Sequence, residues 1–290
     1  MGLRRKKKRS RGKSDQGSRE NQPGVRLSLD GGVSLAVKTG NCSHQGAREY
    51  QEDSFGFSDI VDSDTICEKG ILAVLGDGMG GLANGRAISE YTVSSFIKMF
   101  ETVDYDAPFG PQMRMITEKI NDEVCRNFSV GGKSGAGSTL VVAFVHKLRL
   151  YWLCVGDSRL YLLRNGLLYP VNEDHDYMNQ LLTEYLRGDL DLESIQADPQ
   201  KDSLTSYIGN EKLPFIDSNP RGYPIRRDDT LVLCSDGIYN SISDARIIEA
   251  FEANDPQRAC EDIAQRVLDC GVPGQDNLTI MAIKFAEFEE

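Results

Sequence analysis

The run 278–285 constrains the fold more than any other part of the sequence. In an extended chain Leu278, Ile280 and Ala282 lie on one face and Thr279, Met281, Ile283 and Phe285 on the other. A strand apolar on both faces needs cover above and below, which a single exposed sheet cannot give. Further strands are expected at 33–39, 54–58, 71–75, 139–145, 148–155, 160–163, 167–171 and 230–234. The Asn165-Gly166 pair is a strong type I′ hairpin signal, and His146-Lys147 is expected to turn another, so the sheets should be largely antiparallel.

Helices are expected beside these strands. At 86–100 the spacing places Ile88, Tyr91, Ser95 and Met99 on one face, and at 111–128 it does so for Met113, Ile116, Ile120, Val124 and Phe128. Ser243 can cap a helix at 244–252, and Asp255-Pro256 opens another running to about 268, with proline at the favoured first position. Two sheets packed face to face, each covered outside by helices, would satisfy every doubly apolar strand. Between 174 and 225 the texture changes to acidic residues and one short amphipathic helix around Met178, Leu181, Leu182, Tyr185 and Leu186. This stretch reads as an insert on one rim, either a surface excursion or a flap that helps select substrates.

The net charge of −11 conceals a division along the chain. Nine basic side chains within residues 1–20, against Asp15 and Glu20, give 9 − 2 = +7, leaving −11 − 7 = −18 for the remainder. The basic, apolar-poor stretch 1–30 is expected to be a disordered tail, with 31–290 as the folded domain. Weak contact with an anionic surface is the functional reading of that tail. The start does not fit a myristoylation signal, because position 6 is Lys. No apolar run reaches the ~20 residues of a membrane span, and no Cys-x-x-Cys pair occurs among the seven cysteines. A cytoplasmic setting is expected. With three histidines, a zinc site of imidazole and thiolate is disfavoured against oxygen ligands for Mg²⁺ or Mn²⁺.

Chemistry concentrates at acidic stations on strand edges: Arg48-Glu49-Tyr50-Gln51-Glu52-Asp53, Gly76-Asp77-Gly78-Met79-Gly80-Gly81, Ser235-Asp236-Gly237 and Gln275-Asp276-Asn277-Leu278. Strand ends of this kind share a rim, so their carboxylates can meet, and such a cluster calls for cations to offset its repulsion. Asn277 can brace its turn through its side chain. Asp157, in Val155-Gly156-Asp157-Ser158-Arg159, is a fifth station that can equally be an ordinary turn residue.

Taken in order, Arg48–Asp53, Asp77–Gly81, Gly137-Ser138-Thr139-Leu140, Gly156–Arg159, Asp174-His175, Ser235–Gly237 and Asp276-Asn277 resemble the motifs of the metal-dependent Ser/Thr protein phosphatases of type 2C, bacterial in kind. The resemblance runs from about Val33 to Phe285. It implies an α+β fold, a four-layer α-β-β-α sandwich of two largely antiparallel sheets flanked by helices, with the metals at one end. It also implies hydrolysis of phosphoserine and phosphothreonine in proteins by a water or hydroxide bridging two Mn²⁺ or Mg²⁺ ions, opposing a Ser/Thr kinase.

By this likeness Asp77 bridges the cations, Asp236 and Asp276 complete one, and Glu52 with the Gly78 carbonyl binds the other. Asp157 with Asp236 corresponds to a weaker third position. Asp53 supports the ligands from behind, and Arg48 grips the phosphate. Met79 stands where eukaryotic relatives carry a general-acid histidine; His44 and His175 are the remaining imidazole candidates. Gln51 replaces the usual Asn, Arg86 stands where Glu is common, and Asn240 where some relatives have another acid. Two other classes compete with this reading: a regulatory protein that keeps the fold and docks phosphoproteins without turnover, and a tail-driven membrane or nucleic-acid binder. Intact candidate ligands oppose the first. The acidic body, which lacks an aromatic stacking platform, opposes the second.

Overall fold

The computed structural model describes residues 25–28, 34–58, 63–80, 84–128, 136–201 and 203–287. In chain order the elements are β1 (Val25–Ser28), β2 (Ser34–His44), β3 (Ser54–Phe57), α1 (Ser63–Lys69), β4 (Ile71–Gly76), β5 (Gly78–Met79), α2 (Asn84–Phe100) and α3 (Phe109–Phe128). Then come β6 (Gly137–Ser138), β7 (Leu140–His146), β8 (Arg149–Val155), β9 (Arg159–Arg164), β10 (Leu167–Pro170), α4 (Tyr177–Arg187), α5 (Leu192–Ala197), β11 (Asp217–Ser218) and β12 (Tyr223–Pro224). The chain closes with β13 (Thr230–Cys234), α6 (Asp236–Tyr239), α7 (Asp244–Ala253), α8 (Pro256–Asp269) and β14 (Leu278–Glu287).

One sheet has the order β1-β2-β14-β13-β9-β10 and the other β11-β8-β7-β4-β3, with β12 also on β8; β5 and β6 form a two-stranded ribbon. Each strand pairing is antiparallel. The doubly apolar strand is central, as its pattern demands. Met281, Ile283 and Phe285 of β14 face Leu75 and Val141 between the sheets, while Leu278, Ile280 and Ala282 face Ile247, Ile263 and Val267 of α7 and α8. On the opposite side, Leu72, Val74, Val142 and Phe144 pack against Ile88, Phe96, Met113 and Ile120 of α2 and α3. The layers are therefore α-β-β-α. Truncating a fully buried side chain such as Phe285 to Ala would cost about 3–5 kcal/mol.

Local expectations hold in several places. Asn165 and Gly166 adopt φ of 54° and 71°, as a type I′ turn requires. Asp255 caps α8 through bonds from the Gln257 and Arg258 amides, with Pro256 in the first turn.

Others are corrected. The β7–β8 turn is centred one residue later than expected, on Lys147 and Leu148 (φ 49° and 55°), because His146 stays in register opposite Arg149. In α2 the buried stripe is Ile88, Ser89, Thr92, Val93, Phe96 and Phe100, whereas Tyr91, Ser95 and Met99 are only partly buried. The buried Ser89 hydroxyl is satisfied by the Glu52 and Arg86 carbonyls, which accept from it, whereas the buried Thr92 hydroxyl has no hydrogen-bond partner.

The 174–225 stretch packs onto the body, where β11 and β12 add edge strands to β8 and Ile208 exchanges backbone bonds with Ser138. Strand β1 falls within the 1–30 stretch assigned to the tail, and residues 1–24 lie outside the described residues. Among the described residues no helix is long and apolar enough to cross a membrane.

Candidate metal centre

The acidic stations meet at one rim. A cavity of about 250 Å³ is lined by Arg48, Glu52, Asp77, Gly78, Met79, Gly80, Thr139, Asp157, Leu204, Asp236 and Asp276. Every residue expected to hold a cation or grip phosphate is therefore at its wall. Gly81 lies outside the described residues.

The acids are placed by a lattice of backbone and side-chain bonds, some of which also reach the carboxylates. Asp77 sits between β4 and β5: its N–H donates to Thr139 Oγ1 (2.9 Å) and its carbonyl accepts from the Thr139 N–H (2.8 Å). The Thr139 hydroxyl is in turn 2.8 Å from Ser158 Oγ. Glu52, in the loop between β2 and β3, donates its N–H to Asn277 Oδ1 (2.8 Å), and its carbonyl accepts from the Gly78 amide (3.2 Å) and the Ser89 hydroxyl. Oδ2 of Asp53 accepts from Ser235 Oγ (2.8 Å). Asp236 opens α6, where Asn240 Nδ2 approaches its Oδ2 at 3.4 Å. Asp157 is held by its carbonyl, which accepts from the Tyr239 hydroxyl at 3.1 Å.

Asn277 ties the site together. Besides the Glu52 bond, its Nδ2 donates to the carbonyls of Gln45 (2.8 Å) and Tyr50 (2.9 Å), locking the loop that carries Arg48 and Glu52 onto the turn that carries Asp276. Close packing is needed beside Glu52, because a Cβ on Gly85 would run into its carboxylate and lie 3.1 Å from the Gly78 carbonyl carbon.

The electrostatics are those of an uncompensated cluster. Burial, then repulsion from Asp53, Asp236, Asp157 and Asp276, holds the Asp77 carboxyl well above the usual carboxylate range. Burial pushes Asp53 up to about 6 despite bonds from Thr279 and Ser235, and burial followed by Asp276 pushes Asp236 up to about 6. Asp157 rises to about 7 through burial and then Asp236. Burial also raises Glu52, with Arg48 and the Arg86 amide opposing it. Arg48 is the guanidinium lining this cavity, and its Nη2 bonds Asp276 Oδ2 at 2.6 Å.

The donor set fits a hard divalent cation. The acidic donors are all carboxylate oxygens, and Glu52 Oε1 and Asp53 Oδ1 are buried without a hydrogen-bond partner. Burying a bare carboxylate oxygen is costly unless a charge or donor meets it. Among the described residues no three His, Cys, Asp or Glu side chains have already closed to ligating distance. Asp276 is engaged by Arg48 through Oδ2 and by the Asn277 N–H through Oδ1.

The imidazole candidates are elsewhere. His44 Nδ1 accepts from the Gly46 amide, and the buried His175 accepts through Nδ1 from the Gly156 amide, so both serve the backbone. Met79 lines the cavity instead. Arg86 turns outward to pair with Glu90, and Gln51 supports the Asp53 amide and Ser43. Thr139, Ser235, Ser89 and Leu204 also build the site and received no role from the sequence. For Thr139 the signal was available in the Gly-Ser-Thr motif.

Fold and cavity together define a four-layer sandwich with an oxygen-donor pocket at one rim. The protein phosphatase 2C family model matches residues 38–181. A putative protein phosphatase 2C-type from Streptococcus pyogenes is 30% identical over 224 residues, 74% of this chain and 87% of that protein. The serine/threonine phosphatase stp of Listeria monocytogenes is 27% identical, covering 82% and 91% of the two chains. A solved catalytic domain of the serine/threonine protein phosphatase PstP, in complex with two manganese ions, superposes with a TM-score of 0.65 at 25% identity, over 87% of this chain and all of that one. The chain belongs to the protein phosphatase 2C family.

Proposed function

We propose that the chain hydrolyses phosphoserine and phosphothreonine in proteins as a divalent-cation-dependent phosphatase, opposing a Ser/Thr kinase. The observation that carries this is the convergence of Glu52, Asp77, Asp157, Asp236 and Asp276 from separate segments on one cavity with a guanidinium in its wall. The names of the Listeria monocytogenes relative stp and of the Mycobacterium tuberculosis relative PstP as serine/threonine phosphatases support the substrate class.

In this reading Glu52, Asp77 and the Gly78 carbonyl hold one cation, Asp77, Asp236 and Asp276 another, and Asp157 with Asp236 a weaker third. When bound, such ions supply charge neutralisation for a phosphate monoester and acidify coordinated water. Oxygen donors suit Mn²⁺ or Mg²⁺. Asp53 and Asn277 orient the ligands from behind, and Arg48 presents a planar fork of donors to the phosphate oxygens. Met79 and Leu204 are the apolar part of the wall and limit water around the reacting groups. Met79 brings no proton, so the leaving oxygen is not served by an imidazole at this position. Seven unpaired cysteines accord with a reducing, cytoplasmic setting.

The test is phosphate release from a phosphothreonine peptide with Mn²⁺. Release should vanish with EDTA, return with added cation, and survive deletion of residues 1–20. Turnover indifferent to chelation, or none under conditions where the Listeria relative is active, refutes the assignment.

A further inference from the structure

The two residues with the most distinct tasks in that reading are bonded to each other. Arg48 is meant for phosphate and Asp276 for a cation, yet Arg48 Nη2 lies 2.6 Å from Asp276 Oδ2. While the bond stands, Asp276 Oδ2 and the Arg48 fork are each committed to the other, in competition with their own tasks. A divalent cation taking Asp276 at about 2.1 Å would bring two like-signed charges within about 5 Å of each other around one carboxylate. A guanidinium held on a carboxylate also cannot turn its fork to a phosphate.

The backbones beneath the pair are fixed. The Ala47 amide donates to the Gln275 carbonyl (2.8 Å), Gln45 Nε2 donates to the Arg48 and Glu49 carbonyls (2.6 and 2.9 Å), and Asn277 bonds the Gln45 and Tyr50 carbonyls. Gly46, at φ +63°, lies flat on the Asp276 backbone, where a Cβ would be 2.9 Å from its carbonyl carbon. The loop therefore does not need to move for the pair to part. A side-chain rotation is sufficient, and with 55% of the Arg48 and 38% of the Asp276 side chain exposed, solvent receives the guanidinium.

We propose that Arg48 latches the cation-free site by bonding Asp276, and that a divalent cation, by taking Asp276, releases Arg48 to bind phosphate. Cation loading and anion binding are thereby coupled through one side chain: a bound cation raises the share of Arg48 free to grip phosphate. The inference rests on the cation reading of the cavity given above. Because the pair is exposed, the latch weakens cation binding modestly, by about two- to fivefold.

Nitrogen-15 NMR of the arginine side chains, with Arg48 assigned by its loss in Arg48→Gln, tests this on the full chain. In EDTA the Arg48 signal should show slow exchange and restricted motion. It should become mobile in Asp276→Asn, and saturating Mg²⁺ should move the parent protein's signal to that mobile position. An Arg48 signal alike in the parent and Asp276→Asn without metal, or unmoved by Mg²⁺, overturns the latch. In parallel, free Mn²⁺ measured by electron paramagnetic resonance should show Arg48→Gln binding about threefold tighter than the parent; equal or weaker binding also overturns it. A parent protein that binds no Mn²⁺ refutes the cation reading itself and the latch with it, whereas normal Mn²⁺ binding with an unmoved Arg48 removes the latch alone.

Discussion

Replacing Asn277 by Ala should destabilise the protein more than its single buried amide suggests. The side chain is 4% exposed and makes three bonds to backbone groups of the 45–52 loop: it accepts from Glu52 N and donates to the Gln45 and Tyr50 carbonyls, at 2.8–2.9 Å. Alanine leaves all three backbone groups short of a partner. At about 1 kcal/mol for each lost bond, the variant should lose about 3 kcal/mol. For a domain of this size that corresponds to roughly 6–12 °C in Tm at about 2–4 °C per kcal/mol. The measurement is thermal unfolding by circular dichroism in EDTA, which removes any contribution from bound cation. Asn254→Ala is the control, since Asn254 makes one such bond, to the Ala250 carbonyl at 3.1 Å. A loss in Asn277→Ala no larger than in the control would refute the idea that this amide rivets the Arg48 loop to the Asp276 turn.

Gly85→Ala should weaken Mn²⁺ binding by about tenfold or more, measured by titration calorimetry, because the new methyl displaces the Glu52 carboxylate; unchanged affinity would contradict that packing. Asp236→Asn should raise the Tm in EDTA, by relieving repulsion in the cluster, while abolishing phosphatase turnover; a lowered Tm would mean the acids are not mutually destabilising. The raised carboxyls also set a pH dependence. Asp53 and Asp236 at about 6 and Asp157 at about 7 bind more protons folded than unfolded between roughly pH 4 and 7. Their contribution to metal-free stability is full below that window and is lost as pH rises through it. The Tm gap between Mg²⁺-saturated and EDTA-treated protein should therefore widen from pH 5 to 7.5 in calorimetry, and a narrowing gap would reverse the assigned shifts.

The layers were legible because period-two burial is unambiguous when both faces are apolar, as in β14, and because Asn165-Gly166 admits few backbone geometries. The α2 face was misread for a related reason. Ser89 and Thr92 look solvent-facing by composition, yet both are fully buried, and Ser89 donates to the Glu52 carbonyl. Helix α1, with only Ile66 buried among its hydrophobics, and the two-residue strands β5, β6, β11 and β12 carry too little periodicity to register locally. At the site, each acid was legible from its place at a strand edge, including Asp157, whose turn gave no hint of its depth. The braces were harder to see. Thr139 and Ser235 act on partners 62 and 182 residues away, and Asn277, expected to brace its own turn, also reaches Glu52 more than 200 residues away; such pairings arise from sheet registration rather than from neighbours in the chain.

The segment 177–203 leaves and rejoins the body through a narrow neck. Asp176 bridges Leu204, the Tyr177 amide donates to the Ser203 carbonyl, and Leu204 itself reaches the cavity wall. Downstream, Ile208 is fastened to Ser138 and β11 to β8, so the anchorage does not depend on what α4 and α5 contain. Mutations can therefore accumulate across that outlying lobe at little risk to the catalytic floor.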